Sequence, residues 1–272
     1  MAQFSSLVQF RAIGMSSWAV PLRSLRQYRD YRRVFLTHGD VAAYRAVRDH
    51  PDRFDGPVPI RLKGLENGTV WCRPGTMDPI TLWDAMFEGY HLPTFSLSDP
   101  RVILDLGANA GYTAVSFAMR YPDARVIAVE MDDDNAALCA RNIARFGSRC
   151  EVIRAAIWST VGTISYNGKN VHDYSVSAAA SGSSKIAPAI TIEALLDRFG
   201  LSIVDYLKMD IEGAEAAVLT PPIGWASRVR AMSIEVHPPA TAGGCRDALI
   251  AAGFDCRSHP HHPSSIEARR SA

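Results

Sequence analysis

The spacing of apolar residues changes near residue 100 of the chain. Before that point Leu22, Leu25, Tyr28, Val34, Phe35, Val41, Tyr44 and Val47 recur at roughly helical intervals, which predicts two helices hinged near His38-Gly39-Asp40. Apolar runs at 58–62 and 69–72 flank the turn sequence KGLENG and predict a hairpin. Asp78 then stands before Pro79, an N-cap acid followed by an N1 proline, and marks a helix start. From residue 101 onward short apolar runs alternate with helical spacings. Strands are expected over 102–106, 125–129, 150–155, 204–209 and 231–236, and helices ending near 120 and 146 and over 192–199, 212–219 and 246–252. GTISY reads as a hairpin-like insert, and 254–258 with 266–269 as a closing hairpin around HPHHP. Short buried strands separated by helices predict a parallel sheet covered on both faces.

Composition narrows the setting. With 272 residues, 47% hydrophobic and 21% charged, the chain can bury one sizeable core. The expected division is a helical extension over 1–57 and one enzyme-sized domain over 58–272. Charges nearly cancel, 29 Lys+Arg against 28 Asp+Glu, so no global field draws in nucleic acid or an anionic membrane. Residues 1–50 depart from this balance, with eight arginines against three aspartates, and residues 1–29 contain no acid. Organelle transit peptides share that composition. The favoured reading is a helical extension docked on the domain, with a surface open to oligomerisation. Five scattered cysteines without C-x-x-C spacing suggest neither a disulfide framework nor a zinc site, and fit a reducing cytoplasm. No apolar run approaches the roughly 18 residues of a membrane span.

The first strand of the alternating region runs into DLGANAG, residues 105–111, at the strand-to-helix turn where such sheets hold a cofactor. Gly107 permits a tight turn and Gly111 close packing. Asn109, however, puts a side chain where a dinucleotide's pyrophosphate needs bare backbone. A cofactor without phosphates, such as S-adenosylmethionine, tolerates it. The second strand ends in Glu130, 23 residues after Gly107, close to the roughly 20 expected of an acid that accepts from ribose hydroxyls.

Further on, VDYLKMDIEGAE is a buried strand ending at Asp210, with Glu212 and Glu215 opening a helix. DLGANAG, VIAVEMDDDN, DYLKMDIEGAE and SIEVHP, in this order, together with PGTMDPITLWDAMFEGY, resemble the FkbM family of S-adenosylmethionine-dependent methyltransferases over about residues 70–257. The resemblance implies a Rossmann-like class I methyltransferase fold, α/β with a mostly parallel seven-stranded sheet. It also implies methylation of a hydroxyl on a sugar, natural product or other small molecule. Asp105, Gly107, Ala108, Asn109 and Gly111 would line the methionine end of the cofactor, Glu130 the ribose, and Ala155-Ala156 the adenine. Asp78 would fold over the cofactor or serve only as a cap. Met131 departs from the family, which usually has proline after the ribose acid.

Methyl transfer is an in-line displacement on an activated carbon, so alignment supplies much of the rate. An aliphatic hydroxyl still has to lose its proton. Asp210 and His237 are the candidates for that step, His237 because an imidazole titrating near neutrality suits proton removal. The alternative has Asp210, Glu235 and His237 ligating a divalent cation, a route not favoured because a metal site would more comfortably place another carboxylate at that strand end. His259, His261 and His262 make a metal cluster by composition, but prolines separate them. The Ser/Ala-rich segment 174–188 reads as a loop at the cleft rim that closes over the acceptor. Two other classes stay open: a nicotinamide-dependent oxidoreductase on the same sheet, against which Asn109 argues, and a non-catalytic methyltransferase-like adapter, against which Asp210, Glu212 and His237 argue together.

Overall fold

The computed structural model describes residues 25–65, 68–167, 175–177, 185–260 and 262–270. The expectations for residues 1–24, for 66–67 of the KGLENG turn, for His261 and for 174 and 178–184 of the Ser/Ala-rich segment lie outside the described residues. In chain order the elements begin with α1 (Leu25–Val34), α2 (His38–Asp49), β1 (Val58–Arg61), β2 (Thr69–Cys72) and α3 (Asp78–Trp83). The sheet region follows with β3 (Val102–Leu106), α4 (Tyr112–Arg120), β4 (Arg125–Glu130), α5 (Asp133–Ile143), β5 (Cys150–Arg154) and β6 (Ala156–Ile157). After it come β7 (Gly162–Asn167), β8 (Ser175–Ser177), β9 (Lys185–Ile190), α6 (Ile192–Arg198), β10 (Tyr206–Met209) and α7 (Glu215–Val218). The chain closes with β11 (Ala231–Glu235), α8 (Ala242–Ala251), β12 (Phe254–His259) and β13 (His262–Arg270).

Seven strands form the central sheet in the order β12-β13-β11-β10-β3-β4-β5. The pairs β11/β10, β10/β3, β3/β4 and β4/β5 are parallel, and β13 runs antiparallel to both β11 and β12. This is the Rossmann-like, mostly parallel sheet that the resemblance implied. Alternate side chains enter opposite cores, as pleating requires. Ile103, Val126 and Ala128 join Phe117, Tyr112 and the N-terminal residues Tyr31, Phe35 and Tyr44 on one face. Leu104, Ile127 and Val129 join Leu195, Trp225 and Leu249 on the other. The N-terminal helices therefore share the core of the sheet, and Tyr44 Oη donates to the Pro79 carbonyl at 2.9 Å.

Several boundaries differ from expectation for local reasons. His38-Gly39-Asp40 is not the hinge between α1 and α2 but the first turn of α2. Thr37 accepts from the Asp40 amide while Asp40 accepts from the Thr37 amide, a capping box that outweighs the glycine. Asp78 does not act as an N-cap, since Met77 holds that position and no side chain caps the helix. The helix expected over 212–219 shrinks to Glu215–Val218, because Glu212 and Gly213 take positive φ (53° and 98°). Helix α8 starts at Ala242, where Thr241 caps the Gly244 amide.

The hairpin-like insert expected at GTISY contains β7, which belongs to a second, four-stranded sheet in the order β6-β9-β7-β8 that the expectations did not include. It turns residues 175–177 and 185–188, expected as loop, into strand. Among the described residues no helix is long and apolar enough to cross a membrane.

Candidate active site

Consecutive strands β3, β4 and β5 build outward on one side of β3, and the chain then crosses to lay β10 and β11 on its other side. At such a reversal the two departing connections leave a crevice beyond the carboxyl ends of the strands. A cavity of about 940 Å³ occupies that position, with Gly107, Ala108 and Asn109 from the first turn and Asp210, Glu212 and Glu235 from the β10 and β11 ends in its wall. Met77, Asp84 and Tyr90, from the segment that follows the hairpin, and His259 and His262 at the β12–β13 turn complete it.

The glycine turn is shaped by its neighbours. Gly107 has φ +78°, and a Cβ there would meet the Asp210 carbonyl oxygen at 1.7 Å. Gly111, φ +82°, would press a Cβ into Cys139 Sγ at 2.7 Å, the close helix packing expected of it. Asn109 adopts φ 49°, its Oδ1 accepts the Ala110 amide at 2.7 Å, and its own amide donates to Glu130 Oε2 at 2.8 Å. The other Glu130 oxygen accepts the Asp132 amide at 2.9 Å. Burial raises the Glu130 pKa against the pull of these two amides. Glu130 thus lies directly behind the loop, while Met131 and Ala156 meet farther along in a small apolar cluster with Ile164, Tyr166 and Ala187.

Asp105 is buried below the turn, with Oδ2 accepting from Thr113 Oγ1 at 2.6 Å. Burial raises its pKa. Between it and Asp210 stands Lys208, a residue to which the sequence reading gave no role. Its Nζ donates to the Gly107 carbonyl at 2.8 Å and lies 3.5 Å from Asp105 Oδ1 and 3.3 Å from Asp210 Oδ2. Burial works against its charge, but Asp210 and Asp105 more than offset this and hold the ammonium above the ordinary lysine range. One buried cation therefore bonds the turn after β3 and bridges the acids of β3 and β10.

Asp78 is not brought to the cavity wall. It is fully buried, and the Arg73 guanidinium grips it with Nε and Nη2 at 2.8 Å each while the Arg73 amide donates at 2.9 Å.

Next to Asp210, Glu212 and Glu235 of the cavity wall, His237 follows β11 and turns Nδ1 toward Glu215 Oε1 at 3.3 Å. Glu215 is fully buried and accepts the Ile211 and Gly213 amides at 3.2 and 3.0 Å. The bond to Glu215, supported against burial by Asp210 and Glu212, raises the His237 pKa to about 9. The ring therefore keeps its proton at neutral pH and is a donor, which reverses the reading of His237 as a base titrating near neutrality. Glu212 is pushed up to about 7 by burial and by Asp210, and Glu235 is raised by the same two causes. Asp210, Glu212 and His237 form the cluster of potential metal ligands among the described residues. The expected set held Glu235 in place of Glu212; Glu235 Oε1 lies beside it, 3.7 Å from His237 Nε2.

Comparison with known proteins follows the same lines. The chain is similar to the solved structure of methyltransferase FkbM from Methylobacillus flagellatus KT, with 17% identity and a TM-score of 0.47, over 65% of this chain and 45% of that one. It therefore spans less than half the length of that relative. It is also similar to precorrin-6y C5,15-methyltransferase from Geobacter metallireducens GS-15, with 14% identity, 64% and 82% coverage and a TM-score of 0.41. A predicted O-methyltransferase from Agrobacterium tumefaciens gives 18% identity, 66% and 77% coverage and a TM-score of 0.39. No curated protein sequence matches. The sequence profile of the methyltransferase FkbM domain matches residues 105–268, which is more than half of the chain. The chain belongs to the FkbM family of methyltransferases.

Proposed function

We propose that the chain binds S-adenosylmethionine in the crevice between β3 and β10 and transfers its methyl group to a hydroxyl of a small molecule, sugar or natural product. The observation that carries this reading is the charge around the glycine turn. In a dinucleotide site the loop amides face a pyrophosphate. Here the Asn109 amide is taken by Glu130, and Asp105 and Asp210 stand on either side of Lys208. A phosphate placed on this loop would meet carboxylates, whereas a sulfonium would be attracted through a partly buried, weakly screening environment. Gly107, Ala108, Asn109 and Asp210 would contact the methionine end, with Asp105 and Gly111 supporting them from behind. Glu130 would reach the ribose, and Met131 and Ala156 would flank the adenine.

The acceptor would enter from the side of Met77, Asp84 and Tyr90, so that its oxygen approaches the methyl group opposite the sulfur. His237, charged at neutral pH, would orient or stabilise an acceptor oxygen rather than strip its proton. The family profile favours methyl transfer over the oxidoreductase reading.

Calorimetric titration of the full chain tests the cofactor. S-adenosylmethionine is expected to bind at micromolar concentration and NAD far more weakly. Glu130→Ala should weaken S-adenosylmethionine binding by about 1–3 kcal/mol through the lost hydrogen bond to a charged acceptor. Tighter binding of NAD would reject the reading, and unchanged affinity in the variant would remove Glu130 from the ribose.

A further inference from the structure

The proposed function uses the second sheet only at Ala156 in β6, although β7 and β9 are bonded to the segment that follows Glu130. Asp132 makes the connection. It is fully buried, and its Oδ1 accepts the Asp134 and Asn135 amides at 3.0 and 3.2 Å, which caps α5. Its Oδ2 accepts from Lys185 Nζ of β9 at 2.6 Å and from Tyr166 Oη of β7 at 3.2 Å. The Asp132 amide donates to Glu130 Oε1 at 2.9 Å, and Glu130 Oε2 accepts the Asn109 amide at 2.8 Å. An unbroken chain of bonds therefore runs from β9 through Asp132 and Glu130 to the glycine turn. Met131, between the two acids, packs with Tyr166 and Ala187 of the same sheet.

Capping does not account for this arrangement. A helix N-cap needs only an acceptor, which asparagine supplies as well as aspartate. A fully buried carboxylate is costly unless it is paired, so Asp132 needs a cation. Its charge also acts on Glu130, whose pKa burial raises first and Asp132 raises further against the two amides. Glu130 has to be ionised and fixed in direction to accept from ribose hydroxyls. Lys185 offsets the neighbouring charge. Its side chain is 51% exposed and does not line the cavity, so its ammonium is directed at Asp132 from outside the crevice. The neighbouring acid Asp133 is already taken by Arg154, at 3.0 Å.

We propose that Lys185 is a positioning residue of the cofactor site: acting through Asp132, and with Tyr166 on the same oxygen, it holds Glu130 in place for the ribose hydroxyls. The second sheet is then a working part of the adenosine end. This rests on the reading of the crevice as an S-adenosylmethionine site.

Calorimetric titration of the full chain with S-adenosylhomocysteine, and with an analogue lacking both ribose hydroxyls, reads the hydroxyl contribution as a ratio of affinities. The unaltered chain should favour S-adenosylhomocysteine by at least about tenfold. Lys185→Met should weaken S-adenosylhomocysteine about tenfold and the analogue less than about twofold, so that the ratio collapses. Lys185→Arg, which keeps the cation, should keep the ratio. Adding Asp132→Asn to Lys185→Met removes the stranded charge but leaves the cap acceptor, and should recover most of the loss. Circular dichroism checks folding. Tyr166→Phe, which takes away the other bond to Oδ2 without opening a cavity, should lower the ratio about threefold and carries the test if Lys185→Met does not fold. The proposal is overturned if Lys185→Met weakens both ligands alike, as loss of packing alone would, if it leaves the ratio unchanged, or if the double variant loses as much as the single one. Equal binding of the two ligands by the unaltered chain would overturn it too, by removing Glu130 from the ribose. An unaltered chain that binds neither ligand would reject the S-adenosylmethionine reading itself, and this one with it.

Discussion

Replacing His91 should remove a source of acid instability. The ring is 1% exposed, edge-on to Phe117 at 4.7 Å between centroids, and neither Nδ1 nor Nε2 has a hydrogen-bond partner among the described residues. Burial first, then the charges of Lys208 and Arg120, push its pKa from 6.5 down to about 3. The unfolded chain therefore takes up a proton on this residue while the folded one refuses it. Stability from His91 is fully present above pH 6.5 and is lost as pH falls from 6.5 toward 3. The slope is about 1.4 kcal/mol per pH unit, so roughly 2–3 kcal/mol is at stake between pH 6.5 and 4.5. His91→Leu fills a similar volume and has nothing to protonate. It should match or exceed the parent in stability at pH 7.5, because two unmet ring nitrogens disappear, and its advantage should widen by roughly 2–3 kcal/mol at pH 4.5. Urea denaturation of both chains at the two pH values measures the difference, and groups common to both cancel. An advantage that stays constant between pH 7.5 and 4.5 would refute the argument.

Two other substitutions test how the site is supported. Gly107→Ala should cost about 2–5 kcal/mol by denaturant titration, since the left-handed backbone disfavours a side chain and the new Cβ would strike the Asp210 carbonyl; unchanged stability would mean that the turn is not wedged against β10. Arg73→Met should cost about 3–5 kcal/mol by leaving the buried Asp78 carboxylate without its partner, and adding Asp78→Leu should recover much of that loss. A double variant as unstable as the single one would show that the pair is not the source of the cost.

The central sheet was legible because β3, β4, β10 and β11 are buried almost throughout, so each appears as an apolar run bounded by turn residues. The second sheet had no comparable signal. Strand β9 reads KIAPAI, with exposed residues at three of its six positions and a proline inside, and its parallel partner β6 is only two residues long. What makes β9 a strand is pairing with β6 and β7, which no local spacing reports. The Thr37–Asp40 capping box, by contrast, carried a readable signal. Gly39 between them drew the reading toward a break, though the reciprocal hydrogen bonds decide for the helix.

The candidate site divides in the same way. Residues whose place depends on their own turn were visible: Gly107 as the glycine of a tight turn, Gly111 as one packed closely against α5, and Glu130 as the end of β4. Residues whose role depends on a partner from another part of the chain were not. Lys208 is a charged residue inside an apolar strand, which is itself a flag, and its register opposite Asp105 explains it. The parallel pairing of β10 with β3 places an ammonium between two carboxylates that are far apart in sequence, so the cation stabilises the crossing of the two halves as well as the turn. The quartet around His237 follows the same rule. Glu215 was read as a helix-opening acid, which favours the N-terminus of a helix by its charge alone. Buried behind His237 it instead sets the direction of the imidazole. Position on an element was enough to find the acids; only the crossing of β10 and β11 beside β3 shows which of them face one another.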